Sequence, residues 1–252
     1  MDHIIYTAMS GARQTMEEQG VLSHNLANVA TTGFRAQLSA QRAVPVQGAG
    51  NLPTRTVVAS TTPGADFSPG PLHSTGRELD IALQGEAWLA VQSPDGSEAY
   101  TRRGDLTIDS NGLLFSGGHP VVGDGGPILL PLDSEVFVGG DGTLSAIGSG
   151  EDADTLAEVA RLKMVTPGAE VLLRGDDGLF RLPLDGNGQP RALAQDDTAR
   201  LFSGVLESSN VSAIGSMVAM IGNARRYEMQ LNTIQSADEN AERANTLLSD
   251  QS

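Results

Sequence analysis

The sequence has no cysteine, and its sixteen basic residues include a single lysine, Lys163. Without cysteine, disulfides, thiolate metal sites and cysteine nucleophiles are all excluded. A net charge of −15 argues against a nucleic-acid partner or an anionic membrane surface, because both demand clustered Lys and Arg. No run approaches the ~18 apolar residues of a membrane span. The opening MDHIIYTAMSGARQ lacks the basic region, apolar run and small-residue cleavage site of a secretory signal, so address signals alone point to the cytoplasm.

Catalytic constellations are missing as well. The four histidines, His3, His24, His73 and His119, are isolated, with no HxH or HxxxH spacing for a metal. There is no GxSxG elbow, no GxxxxGK[ST] loop and no strand-borne GxGxxG. GGDGTL at 139–144 has leucine where a calcium nonapeptide repeat needs an acid, and DGNGQ at 185–189 lacks the downstream bidentate glutamate of a calcium loop. Both read as hairpin turns. The 22 acids between residues 35 and 206 show no spacing that singles out a catalytic pair, and they read as a solvated acidic surface. No enzyme activity, cofactor or metal is expected.

What is present is divided by its breakers. All twelve prolines lie between Pro45 and Pro190, and 25 of the 30 glycines lie in residues 35–206. The two ends are free of proline and periodic. Ile5, Ala8, Ala12, Thr15, Gln19, Leu22, Leu26 and Val29 alternate spacings of three and four. Ala213, Met217, Met220, Ala224, Tyr227, Leu231, Ile234, Asp238, Ala241, Asn245 and Leu248 do the same, and Val211, Ile214, Val218 and Ile221 widen the apolar face. A helix from about 210 to 249 would be roughly 60 Å long. Both seams are rich in small and polar residues, which suits crowded packing against several neighbours better than a simple dimer.

The middle alternates with period two in short runs such as ELDIALQG, AWLAVQS, DLTIDSNGLLF, PILLPL and EVFVGGDGTLSAIG. Asn111-Gly112 and Asp177-Gly178 are hairpin signals between hydrophobic runs. The expected fold is α+β: long N- and C-terminal helices pair as a coiled-coil-like layer, and a mainly antiparallel β-domain is inserted between them. The expected boundaries are an N-terminal helix at 1–34, an extended Pro/Gly-rich connection at 35–78, a β-rich domain at 79–206 and a C-terminal helix at 207–252.

Three ordered motifs are familiar. SHNLANVATTGFRAQ at the N-terminus resembles the NLAN-x-x-T-x-GF signature of the bacterial flagellar axial proteins, the rod and hook family. GRELDIALQGEAWLAVQSPDGSEAYTRRGDLTIDSNGLLF looks like their shared β-region, and VLESSNVSAIGSMVAMIGNARRYEMQLNTIQSADE like their shared C-terminal helix. MDHIIYTAM, RAVPV, TPGADFSPGPL and DENAERANTLL are similar to the proximal-rod branch, and Ala87-Trp88-Leu89 replaces the Gly-Phe-Phe of distal-rod and hook relatives.

The resemblance implies a structural subunit of the proximal rod, stacking helically to link the membrane export and motor apparatus to the distal rod and hook and to carry torque. It implies export through the flagellar type III channel, with no Sec signal, to a basal body that spans the periplasm. Partners would be other rod subunits, copies of itself and the export apparatus in transit, with no nucleic acid and no direct membrane insertion.

The expected assembly seam is Ile5, Ala8, Ala12, Leu22, Asn25, Leu26, Asn28 and Val29, with Met217, Met220, Ile221, Ala224, Tyr227, Leu231 and Ile234. Gly33 would stop the first helix and Phe34 would dock the exit. The rival readings are a distal-rod or hook-type member, a cell-wall hydrolase, and a β-rich binding module on a helical stalk.

Overall fold

The computed structural model describes residues 2–45, 56–132, 134–148, 157–168 and 171–249. The chain divides into a helical unit, residues 1–28, 37–65 and 211–252, and a β unit, residues 29–36 and 66–210.

In the helical unit, α1 (Asp2–Ala27) packs on α2 (Ala213–Ser249). Thr15 donates its hydroxyl to Gln230 Oε1 at 3.2 Å, and Glu18 meets Arg226 at 3.5 Å, so the helices run antiparallel. Ser212 starts α2 as its N-cap, its hydroxyl accepting the Gly215 N–H at 3.2 Å. The stretch expected as an extended connection instead forms two paired strands, β1 (Gln37–Pro45) and β2 (Thr56–Ala65). Residues 46–55 of that stretch lie outside the described residues. Between Leu38 and Ala40 the register slips against Gly64 and Thr61, which leaves β2 one residue longer there. Pro63 falls in this bulge, where no ladder donor is required, so a proline-bearing segment can still pair.

Asn25 ties the hairpin to α1. Its Nδ2 donates to the Gln37 carbonyl at 2.9 Å, and its Oδ1 accepts the Gln37 N–H at 2.8 Å. Asn28 turns back on its own helix, donating Nδ2 to the His24 carbonyl at 2.9 Å. These amides therefore close the end of α1 and start β1.

The β unit is antiparallel throughout its described pairings. Its central sheet runs Met164–Val165, Trp88–Gln92, Glu98–Thr101, Phe180–Arg181, Leu173–Arg174. Leu89, Val91, Leu106, Leu114, Leu144 and Leu162 are fully buried in one core. Asp177-Gly178 makes the expected turn, with Arg174 opposite Phe180. Asn111-Gly112 lies in a longer loop in which the Asp109 carboxylate accepts the Asn111 and Leu113 N–H groups. PILLPL, expected as a strand, is strand only at its first residue, where Gly126–Pro127 ends. Pro127 and Pro131 bring no N–H, so the segment is held by single bonds such as Leu130 N–H to the Gly112 carbonyl.

The first helix closes at Ala27, six residues before Gly33. Gly33 has φ +63°, and a Cβ there would stand 2.3 Å from the Arg102 carbonyl oxygen. It is thus a close-approach glycine of the β unit and not a helix stop. Gly33→Ala is expected to cost about 2 kcal/mol or more in urea unfolding of the full chain. Gly76→Ala, at φ +72° but facing open space, should cost only about 1 kcal/mol. Equal costs at the two sites would show that the contact with Arg102 is immaterial.

Candidate assembly surface

Every position of the N-terminal seam from Ile5 to Leu26 is buried or half-buried in the helical unit. On α2 the seam splits. Met220, Tyr227 and Ile234 are half-buried, whereas Met217, Ile221, Ala224 and Leu231 are exposed. Asn245 and Leu248 fall outside the residues whose side chains are described. The inward positions that alternate with the half-buried ones are Asn223, Gln230 and Ala237. The seam is therefore shifted by one residue from the apolar choices toward amides and alanine. Small side chains let the helices approach closely: a Cβ on Gly11 would meet the Gln230 amide at 2.8 Å.

Two apolar stripes remain uncovered. Ile214, Met217, Val218 and Ile221 follow i, i+3, i+4, i+7 on α2, and Ile214 is 77% and Ile221 57% exposed. On α1, Tyr6, Met9 and Met16 are exposed on one face. Between the helices lies a groove of about 300 Å³ lined by Thr15, Met16, Gln19, Asn223, Ala224 and Tyr227. Asn223 is fully buried, yet neither side-chain polar atom has a partner among the described residues. A buried amide left so costs about 1–3 kcal/mol.

The β unit holds a second feature that periodicity does not reveal. Arg35, Arg102 and Glu207 are buried together, with side-chain exposures of 2%, 3% and 1%. Glu207 Oε1 lies 2.7 Å from Arg35 Nη1 and accepts the Gly70 N–H at 2.8 Å. Glu207 Oε2 accepts from Arg102 Nε at 3.0 Å and Nη2 at 2.8 Å. Arg102 also donates to the carbonyls of Leu83, Gly85 and Ala87. Burial pushes the Arg102 guanidinium below its ordinary value, the Glu207 charge opposes that shift, and the neighbouring Arg35 adds to it.

Around this cluster the two crossings of the chain are tied together. Gly33 N–H donates to the Glu207 carbonyl at 2.7 Å, and Asn210 N–H to the Phe34 carbonyl at 3.3 Å. Asn210 also accepts the Ala36 N–H and donates to the carbonyls of Asp66 and Ser68. Phe34 is buried beneath the Arg174 guanidinium, 4.5 Å from its ring centre. Val29 is half-buried at the start of the first crossing. Among the described residues, no group of three His, Asp or Glu could hold a metal, and no helix is long and apolar enough to cross a membrane.

Three family descriptions match in chain order. Flagella basal body rod protein covers residues 5–35, the flagellar hook protein FlgE/F/G D1 domain 82–146, and the flagellar basal body rod FlgEFG protein C-terminal 203–247. The chain is 53% identical over 250 residues to the flagellar basal-body rod protein FlgF of Escherichia coli and 52% identical to that of Salmonella typhimurium, each alignment covering 99% of both chains. To the flagellar basal-body rod protein FlgG of Bacillus subtilis it is 29% identical, over 93% of this chain and 95% of that one. Arg35, Arg102 and Glu207 come one from each of the three matched segments.

Removing one partner of a buried ion cluster strands the others. Glu207→Gln is expected to destabilise the chain by about 3 kcal/mol or more in urea unfolding. Adding Arg35→Met should recover part of the loss, because one stranded guanidinium goes with it. A neutral Glu207→Gln would remove the cluster from the stability of the fold.

Proposed function

Because this chain belongs to the flagellar basal-body rod protein family, we propose that it is a proximal-rod subunit whose terminal helices pack against those of neighbouring subunits. The chain is a structural subunit, as its relatives are, and membership of a rod family carries assembly with other rod subunits at the basal body. The relatives and matched families name no catalytic activity.

The observation that carries the reading is the uncovered stripe Ile214, Met217, Val218 and Ile221. Four large apolar side chains in helical register, exposed beside an already paired helix, have no use in an isolated chain. Burying one such side chain contributes about 1.5–3 kcal/mol, so a few per subunit are enough to bias association. The orphaned amide of Asn223 in the adjoining groove fits the same reading, since a neighbour can supply the missing partner. Heterologous contacts that do not close produce a helical stack of subunits and not a ring. Delivery through the flagellar type III channel is part of the proposal.

Ile221→Asp tests this cleanly, because the side chain is exposed and its replacement leaves the buried seam intact. The full chain should unfold at the wild-type urea midpoint to within about 0.5 kcal/mol. Cells carrying the variant should lose motility, and their isolated basal bodies should lack rods beyond the point of insertion. Normal rods in such cells would refute assembly through this stripe.

A further inference from the structure

The charged cluster of the β unit borders a cavity that the assembly reading leaves unused. The cavity measures about 170 Å³, and Arg35, Arg102, Trp88, Phe67, Leu172 and Glu86 are among its walls. The Arg35 Nε–H is buried and has no acceptor among the described residues. Around it, Arg102 donates to Glu207 and to three carbonyls, and Arg35 Nη1 donates to the Ser68 carbonyl at 2.8 Å. Arg174 adds a third cation beside them, its Nη1 3.5 Å from the Arg35 carbonyl, and burial pushes its guanidinium downward.

Charge is unbalanced here. Glu207 is a single buried carboxylate against the three guanidiniums of Arg35, Arg102 and Arg174. Glu86 is exposed and Asp66 half-buried; hydrogen bonds from Ser68 hold the Asp66 carboxyl below its ordinary value, and the Arg35 charge reaches it and adds to that shift. A buried donor of a charged group without an acceptor is costly and is normally satisfied by something.

The lining of the cavity limits what that something is. An N–H without an acceptor, beside positive charge, asks for an anionic oxygen. Apart from Glu86, the side chains of the remaining walls are apolar: Phe67 and Trp88 meet edge to face, ring centres 5.7 Å apart, and Leu172 is buried. A carboxylate on a short apolar stem matches both halves of the site.

We infer that this cavity binds a carboxylate, presented either by a small organic acid or by an acidic side chain of a second copy. The inference does not depend on the rod reading, since it rests on the β unit alone.

Trp88 is the single tryptophan of the chain and lies in the cavity wall, so its emission reports on occupancy directly. The full chain is titrated with sodium acetate at constant ionic strength, with chloride as the balancing ion. A saturable shift in Trp88 emission is expected with acetate and not with chloride. Arg35→Lys keeps a positive charge beside Glu207 but loses Nε, and should weaken the apparent affinity about tenfold. Glu86→Gln leaves the buried cluster untouched and removes a like charge, so it should tighten binding about twofold at low salt.

The two sources are separated by dilution. If a second copy supplies the carboxylate, emission changes with protein concentration in acetate-free buffer and acetate reverses the change. If a free acid does, only acetate moves it. Three results would overturn the inference: no saturable change with acetate or concentration, an equal response to chloride (an adventitious ion only), or wild-type responses in both variants with each still melting cooperatively.

Discussion

The β unit depends on a carboxylate held between two guanidiniums. Glu207 is 1% exposed, and in that setting an isolated charge would be untenable. It is stable only because Arg35, Arg102 and the Gly70 N–H surround it. The cluster is long-range in the chain: 67 residues separate Arg35 from Arg102 and 105 separate Arg102 from Glu207. It can form only when the segment after α1, the middle of the β-region and the segment before α2 have all come home. Burial of ions contributes little net stability over an apolar core. What it adds here is a tie between three distant segments, since each of the three charges comes from a different one.

The backbone around the cluster follows from that requirement. Gly33 must be glycine because the chain passes within contact distance of the Arg102 carbonyl at positive φ. Asn210 must carry an amide, because its side chain serves a donor at Ala36 and acceptors at Asp66 and Ser68 together. The crossing segments are thereby fixed to each other within the β unit. The helical unit has a different character, with a polar, small-residue seam and an orphaned Asn223. Among the described residues, the buried side-chain atoms without a partner are Arg35 Nε in the β unit and atoms of Gln14, Gln19 and Asn223 in the helical unit.

Much of this was legible in the sequence. Paired terminal helices around an antiparallel β region follow from where the prolines and glycines stop, and the motif order carries the family. On α1 the alternating positions from Ile5 to Leu26 lie on its buried or half-buried face, although Tyr6, Met9 and Met16 stay exposed. On α2 the apolar side chains misled: Met217, Ala224 and Leu231 look like seam positions, but the inward positions hold Asn223, Gln230 and Ala237. Periodicity ranks residues by hydrophobicity, and here the inward face of α2 carries amides. β1 and β2 escaped for a related reason, since a bulge at Pro63 lets a segment pair that composition marks as unpaired.

The buried cluster was beyond periodicity altogether, because charge reads as surface until partners from distant segments are known. A signal was nonetheless present. Arg35 directly follows the Gly-Phe of the N-terminal signature, and Glu207 sits in the Leu-Glu-Ser-Ser-Asn run that introduces α2. A charged residue inside a motif made otherwise of small, apolar and amide residues has no reason to be solvated there. The amides of SHNLANVATTGF follow the same logic in milder form: Asn25 and Asn28 bond to backbone of their own chain, Asn25 at Gln37 and Asn28 at His24. The signature is thus a closure for the end of α1.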